Sequence, residues 1–226
     1  LLAIMGLLPL KSGVTTLGEV IFNAENLIDY SQKQLEAIRG KKIAMIFQEP
    51  MSALNPSICC GKQVEEILLQ HTNITTKEAN EEVIRLFNAV KLPEPKKTYK
   101  KYPHEISGGQ QQRVMIAMAI ACKPQILIAD EPTTALDVTV QREIIALLKT
   151  LQKEFKMSVV FISHDLALVS EIADRILVMY KGAIVEKGAT KSVFKNPQKK
   201  YTKALIGARP TIKGRLKRLP TISDFF

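Results

Sequence analysis

The chain has 226 residues, 46% of them apolar and 24% charged, enough for a real core and against global disorder. No apolar run approaches the roughly 18 residues of a membrane span; the longest are Leu1–Leu10 and Val114–Cys122, and the first lacks the basic flank and small-residue cleavage site of a secretion signal. The formal net charge is +10, but acids and bases balance over residues 1–180, and the whole excess falls in residues 181–226, whose only carboxylates are Glu186 and Asp224.

In chain order, Leu1–Leu8 reads as the end of a buried helix stopped by Pro9, and Gly18–Asn23 alternates like a strand. Ser31–Arg39 predicts a short helix with a Ser31…Gln34 capping box, and Ile43–Phe47 is an apolar run of strand length. Glu49-Pro50 ends that strand, and Asn55-Pro56 marks a turn. Residues 62–122 read as mainly helical. Val64–Gln70 is one piece, and Thr75…Glu78 caps a helix running to about Val90. Pro93, Pro95 and Pro103 break the chain, and Gly108-Gly109 leads into a largely apolar, hence buried, helix over Gln110–Ala121. Strand character returns at Gln125–Ala129, followed by a long amphipathic helix from about Val138 to Glu154. Met157–Ile162 is a strand and Leu166–Ile172 a helix. Arg175–Tyr180 and Ala183–Glu186 form a hairpin around Lys181-Gly182, and Lys191–Phe194 and Lys199–Ile206 are short helices. The alternation predicts an α/β fold.

Cys59, Cys60 and Cys122 are an odd number without CxxC spacing, against a disulfide framework or a zinc site, and fit a reducing cytosol. The basic C-terminal stretch, richer in Lys than Arg, is either a solvated face or a contact for phosphate, nucleic acid or an anionic membrane surface. It does not suggest bidentate reading of bases.

Four places carry chemistry. Ile126-Leu127-Ile128-Ala129 is a buried strand that delivers Asp130 and Glu131 at its carboxyl end, where open α/β sheets bind ligands. The first acid suits Mg²⁺ and the second suits orienting and deprotonating water; the plainer alternative is a strand ending in a solvated acidic turn. Ser107-Gly108-Gly109-Gln110 opens a helix, and its free N–H groups form either an anion site or an ordinary flexible turn. His164, after Val159–Ser163, either donates to a γ-phosphate or caps at the surface. Gln48, at the end of Ile43–Phe47, can touch both metal and water but says little alone.

Together and in order, Gln48, Ser107–Gln110, Asp130-Glu131, Ala135-Leu136-Asp137 and His164 resemble the ATP-binding-cassette (ABC) ATPases: Q-loop, signature motif, Walker B with its catalytic Glu, D-loop and switch His. Phe47-Gln48-Glu49-Pro50-Met51 with Leu54-Asn55-Pro56, Tyr102-Pro103-His104-Glu105, the run from Asp130 to Gln141, and Asn196-Pro197-Gln198 followed by Tyr201–Leu205 are similar to the ATPase subunits of dipeptide, oligopeptide and nickel importers. Three departures stand out. Ile106 replaces the usual Leu, and Gln111 replaces a common Arg, removing a charge near the phosphate. No G-x-x-x-x-G-K-[ST] loop occurs in these 226 residues. An N-terminally truncated chain is the expectation, with a natural pseudo-ATPase as the rival.

The resemblance implies a P-loop NTPase-like (RecA-like) α/β core with a mainly parallel sheet, an antiparallel β edge and an inserted helical subdomain. The ABC ATPase domain would span residues 1–207, with its core at about 1–50 and 123–207, its helical subdomain at about 51–122, and a basic tail at 208–226. It implies an ATPase that powers import of peptides or a related solute such as nickel, peripheral on the cytoplasmic face of the membrane. Its cofactors are ATP and Mg²⁺, held by Asp130 and Gln48, with Glu131 as general base and His164 sensing the γ-phosphate. Ser107, Gly108, Gly109 and Gln110 would serve the partner's ATP, and Asp137 would couple the two sites. With no Cys after Cys122, no iron–sulfur cluster is expected. The implied partners are a second ABC ATPase (separate, or fused after Phe226), two membrane permease subunits and an extracytoplasmic solute-binding protein. The segment after Gln48 would dock on the permease. Nucleic acid is not an expected partner, although a soluble ABC protein acting on ribosomes or nucleic acid, and a non-catalytic half of a paired ATPase, share these motifs.

Overall fold

The computed structural model describes residues 2–7, 18–48, 53–134 and 136–207. It is a mixed α/β chain with two compact units, Leu1–Val160 and Phe161–Phe226.

The first unit opens with a turn over residues 2–6 rather than a helix. The Gly6 N–H donates to the Ala3 carbonyl (3.1 Å) and the Leu7 N–H to the Leu2 carbonyl (2.8 Å), with Gly6 at φ 61°. This is the hydrogen-bond pattern of a Schellman motif. Over the described residues this turn stands where the helix of Leu1–Leu8 is expected, and Gly6 takes its left-handed conformation without a Cβ penalty. Nor is the segment uniformly buried: Met5 is, but Leu2, Ile4 and Leu7 are exposed. Leu8 and Pro9 lie outside the described residues. The Arg39 guanidinium donates to the Met5 and Gly6 carbonyls (2.8 and 2.9 Å), two acceptors of that turn.

Strands β1 (Ile21–Phe22) and β2 (Glu25–Asn26) pair antiparallel. They are shorter than the alternation predicts because Asn23 and Ala24, at φ 50° and 66°, turn the chain back at once. Helix α1 (Gln32–Ile38) carries the expected capping box, with Ser31 N–H donating to Gln34 Oε1 (2.9 Å). Strand β3 (Ile43–Ile46) is followed, among the described residues, by helices α2 (Cys60–His71), α3 (Thr76–Ala89), α4 (Pro95–Lys100) and α5 (Gly108–Ile120). The prolines predict a break where α4 stands. Pro95 lies in its first turn, where a missing N–H goes unmissed. Val64, Leu68, Val83, Leu86 and Phe87 are buried among these helices. Glu65 is buried too; burial raises its pKa, but hydrogen bonds from Lys62 and Tyr99 outweigh that and hold it below the usual range. Cys59, Cys60 and Cys122 are free thiols, and burial pushes that of Cys60 up to about 11.

Strand β4 (Ile126–Asp130) runs parallel to β3 in a register from Ile43↔Ile126 to Ile46↔Ala129. Leu127, Ile128 and Ala129 are buried, as an apolar run in a strand covered on both faces must be. Helix α6 (Val138–Phe155) buries Ile144, Ile145, Leu147, Leu148 and Leu151, a stripe at helical spacing. Strand β5 (Ser158–Ile162) starts beside β4 through the Ser158 N–H to Gln125 carbonyl bond of 2.8 Å, giving the order β3-β4-β5.

From Phe161 the second unit holds α7 (Leu166–Ile172), the antiparallel pair β6 (Arg175–Tyr180) and β7 (Ala183–Ala189), α8 (Thr190–Lys195) and α9 (Lys200–Gly207). Ile176, Val178 and Val193 form its core, joined by Val169, Tyr201 and Leu205. Glu186 on β7 accepts from the Gln198 and Lys199 N–H groups (2.8 and 3.1 Å). Asn196-Pro197-Gln198 thus brings backbone donors to a carboxylate at the start of α9, where negative charge is favoured. The basic tail beyond Gly207 lies outside the described residues.

Candidate functional site

The parallel register sets the geometry. Gln48 lies two residues beyond Ile46 and Glu131 two beyond Ala129, so the paired strands deliver both side chains to the same end. Gln48 Nε2 donates to Glu131 Oε2 at 3.1 Å, and Thr134 Oγ1 donates to the same oxygen at 2.8 Å. Two donors on one oxygen aim the carboxylate. Glu131 sits at φ 45°, a left-handed conformation that costs a non-glycine residue energy and clusters at functional sites. The turn is braced from both sides: the Thr134 N–H donates to the Glu131 carbonyl (3.1 Å), and Gln141 Nε2 on α6 donates to the Thr133 carbonyl (3.0 Å). Asp130, half-buried, ends β4 immediately before.

The signature residues cap α5. Ser107 is its N-cap: Ser107 Oγ accepts from the Gln110 N–H (3.4 Å), and Gln110 Oε1 accepts from the Ser107 N–H (3.0 Å). The helix starts at Gly108, two residues before the predicted Gln110, because this reciprocal box brings both glycines into the first turn. The site residues lie close to one another here. A Cβ on Gly109 would come within 2.9 Å of Val140 Cγ1 on α6, and one on Gly108 within 3.9 Å of Leu136. Asp137 is the N-cap of α6, its Oδ1 accepting from the Thr139 and Val140 N–H groups (both 3.0 Å). Gln111 is buried, and its Nε2 donates to the Pro103 and Ile106 carbonyls (2.8 and 3.4 Å). Its side chain ties the Tyr102–Ile106 turn to α5, so the Arg-to-Gln departure acts in packing.

His164 belongs to the second unit. It is exposed and lies between β5 and α7, beside Asp165, whose Oδ1 caps α7 through the Ala167 and Leu168 N–H groups (2.7 and 3.4 Å). Glu49, Pro50, Met51, Ser52 and Ala135 lie outside the described residues. Thr134 and Gln141 escaped the sequence reading as site residues; the signal was there, since Thr134 stands three positions after the acid that its hydroxyl reaches. A cleft of about 560 Å³ lined by Met5, Ile46, Phe47, Met115 and Met118 among others is apolar, and none of the site side chains named above lines it.

Among the described residues, no group of three or more His, Cys, Asp and Glu side chains could hold a metal. Asp130 and Gln48, a carboxylate and a carboxamide delivered to the same end of the paired strands, suit Mg²⁺, which binds through one or two protein ligands while phosphates and waters complete its shell.

The fold and this strand-end site define an α/β nucleotide-binding cassette. A family model described as ABC transporter matches residues 1–134, and the chain belongs to that family. It is 47% identical over 210 residues to the oligopeptide transport ATP-binding protein OppD of Bacillus subtilis, across 93% of this chain and 59% of that one. To the dipeptide transport ATP-binding protein DppD of the same organism it is 48% identical over 210 residues, across 93% of this chain and 63% of that one. The glutathione import ATP-binding protein GsiA of Escherichia coli O6:H1 is 46% identical over 223 residues, across 96% of this chain and 36% of that one. The chain thus spans about three-fifths of OppD and DppD and about a third of GsiA. Among solved structures, the ATP-binding cassette MJ0796, dimeric in a post-hydrolysis state bound to ADP and Pi, gives a TM-score of 0.69 at 31% identity, covering 77% of this chain and 74% of that one. CbiO1 of Clostridium perfringens, part of the ABC transporter complex cbiONQ, gives 0.67 at 29% identity, covering 78% and 67%.

Proposed function

We propose that this chain is part of an ATP-hydrolysing subunit that powers import of peptides, or a related small solute such as nickel, through an ABC transporter. The observation that carries the chemistry is the Gln48–Glu131 bond of 3.1 Å, which sets a carboxamide against a carboxylate at the end of a buried parallel strand pair. The cargo class is supported by the relatives, whose names specify oligopeptide, dipeptide and glutathione transport.

Under this proposal Asp130 and Gln48 would hold Mg²⁺. The ion, when bound, would supply neutralisation of phosphate charge. Glu131, aimed by Thr134 and Gln48, takes the proton of the attacking water. His164 donates a hydrogen bond to the γ-phosphate. Ser107, Gly108, Gly109 and Gln110, at the start of α5, serve ATP held by a second ABC ATPase, with Ser107 and Gln110 fixing the turn through their capping box and Gly108 and Gly109 offering N–H groups. Asp137, fixed by its own cap, meets that partner and couples the two sites. The residues contribute mainly positioning and electrostatics.

The proposed assembly adds two permease subunits and an extracytoplasmic solute-binding protein, with this subunit peripheral at the cytoplasmic face. Among the described residues, no helix is long and apolar enough to cross a membrane. The test is purification of the full-length subunit from its own cells, followed by ATPase assay in proteoliposomes. Recovery with a two-subunit pore, and hydrolysis stimulated by peptide plus binding protein, is the expected result. Recovery with ribosomes or nucleic acid at moderate salt, with no pore, would overturn it.

A further inference from the structure

Arg113 lies one turn beyond the signature glycines on α5 and is almost enclosed, its side chain 11% exposed. The two arms of its guanidinium go to different elements. Nη1 donates to the carbonyl of Val90, the C-cap of α3, at 2.9 Å. Nη2 donates to Glu143 Oε2 on α6 at 2.8 Å. A helix-terminal carbonyl has no partner within its own helix, so the first bond meets a real need. The second is an ion pair whose carboxylate is 56% exposed, and such pairs add little to stability. Its effect is geometric.

One turn earlier on both helices, Gly109 meets Val140 with no room for a Cβ. Gly109 and Arg113 are four residues apart on α5, and Val140 and Glu143 are three apart on α6. The first two turns of the two helices are therefore pinned at two successive points, which fixes their axial register. Ser107 caps one of these helices and Asp137 the other, and Gln141, between the pins on α6, holds the Thr133 carbonyl of the Glu131 turn.

We propose that Arg113 is a positioning residue for ATP hydrolysis: its fork, shared between Val90 and Glu143, makes the signature turn, the Asp137 turn and the Glu131 turn shift as one piece. This rests on the ATP-site assignment made above. Arginine is needed because a planar fork can serve two acceptors in fixed directions, which an ammonium on a flexible stem cannot.

The experiment measures steady-state hydrolysis against ATP concentration for the full-length subunit in its assembled transporter. The variants are Arg113→Lys, Glu143→Ala, Glu143→Gln, the double Arg113→Lys/Glu143→Ala, and Glu131→Gln as a control, each with a melting curve. Arg113→Lys and Glu143→Ala should each lower kcat by roughly 10-fold or more with KM within about twofold, since ångström-scale misplacement costs on the order of 10²-fold. Glu143→Gln, which keeps an acceptor, should recover most of the rate, and the double variant should be no worse than the poorer single. If Glu131→Gln is inactive while Arg113→Lys and Glu143→Ala stay within about twofold of wild type, the inference fails and the ATP-site assignment stands. If Glu131→Gln still turns over, both fail. If kcat falls only in proportion to folded protein lost at the assay temperature, Arg113 is merely structural and the inference is overturned.

Discussion

Gln48 and Glu131 are 83 positions apart in sequence, yet their side chains meet at 3.1 Å because β3 and β4 pair in a parallel register that places each two residues past the last paired position. The amide orients a carboxylate whose backbone is already held left-handed at φ 45°. In the proposed role of general base, a carboxylate fixed in this way needs little reorganisation when a water arrives.

Glu131→Gln in the full-length subunit should keep ATP binding and lose turnover. Gln preserves size and an acceptor oxygen but takes no proton, and a positioned general base contributes about 10²–10⁴-fold. The loss should appear in kcat with KM little changed, measured by steady-state kinetics. Asp130→Asn should differ by shifting the Mg²⁺ dependence as well as the rate. Retention of more than about a tenth of wild-type turnover by Glu131→Gln would remove it from the role of base.

Thr134→Val removes the hydroxyl that donates to Glu131 Oε2 at close to constant shape. A net hydrogen bond is worth about 0.5–1.5 kcal/mol, so kcat should fall roughly 2- to 12-fold. Thr134→Ser, which keeps the donor, should stay near wild type. Equal rates for the Val and Ser variants would show that the bond does not orient the base.

Gly109→Ala should weaken hydrolysis through crowding. The new Cβ would lie 2.9 Å from Val140 Cγ1, so α5 and α6 must separate by a few tenths of an ångström. Val140→Ala in the same chain removes the obstructing methyls and should restore most of the lost rate. A double variant as slow as Gly109→Ala would mean that the glycine is needed for something other than this approach.

Phe87 is fully buried among the helices between β3 and β4. Phe87→Ala should destabilise by about 3–5 kcal/mol through lost transfer energy and a residual cavity. Urea unfolding of the purified full-length subunit checks this, and a shift of less than about 1 kcal/mol would place the side chain outside a packed core.

Stability should fall with acid at His71. Its pKa lies below the ordinary 6.5, first because burial disfavours the imidazolium and then because Lys41 is nearby. The unfolded chain takes up this proton before the folded chain does, so the His71 contribution is complete above about pH 6.5 and is lost as pH falls from there towards the folded pKa. In urea titrations at several pH values, His71→Gln should lose stability less steeply over that window. An unchanged slope would assign the acid sensitivity to other groups.

Local signals carried much of this far. Three capping boxes, at Ser31, Thr75 and Ser107, were legible or half-legible because Ser or Thr followed three residues later by Gln or Glu satisfies helix-end N–H groups within one turn. The buried run Ile126–Ala129 announced a covered strand, and Lys181-Gly182 announced the β6–β7 turn. The prolines misled: a residue barred from helix interiors is welcome in a first turn, and α4 begins with one. The opening segment is a turn through Gly6 where its apolar pattern suggested helix, since a left-handed glycine outweighs periodicity.

The order of Gln48, Ser107–Gln110, Asp130-Glu131, Asp137 and His164 could be read from the chain because each motif is a short string whose chemistry needs neighbouring residues. What the strings could not contain is which of them touch. The Gln48–Glu131 bond depends on a strand register, the Gly109–Val140 approach on a helix packing distance, and the Arg113 fork on three elements meeting at one guanidinium. These contacts link positions up to 83 residues apart, and no local propensity encodes such a distance. They are set when apolar strands and helix faces bury one another, and the site inherits its geometry from that packing.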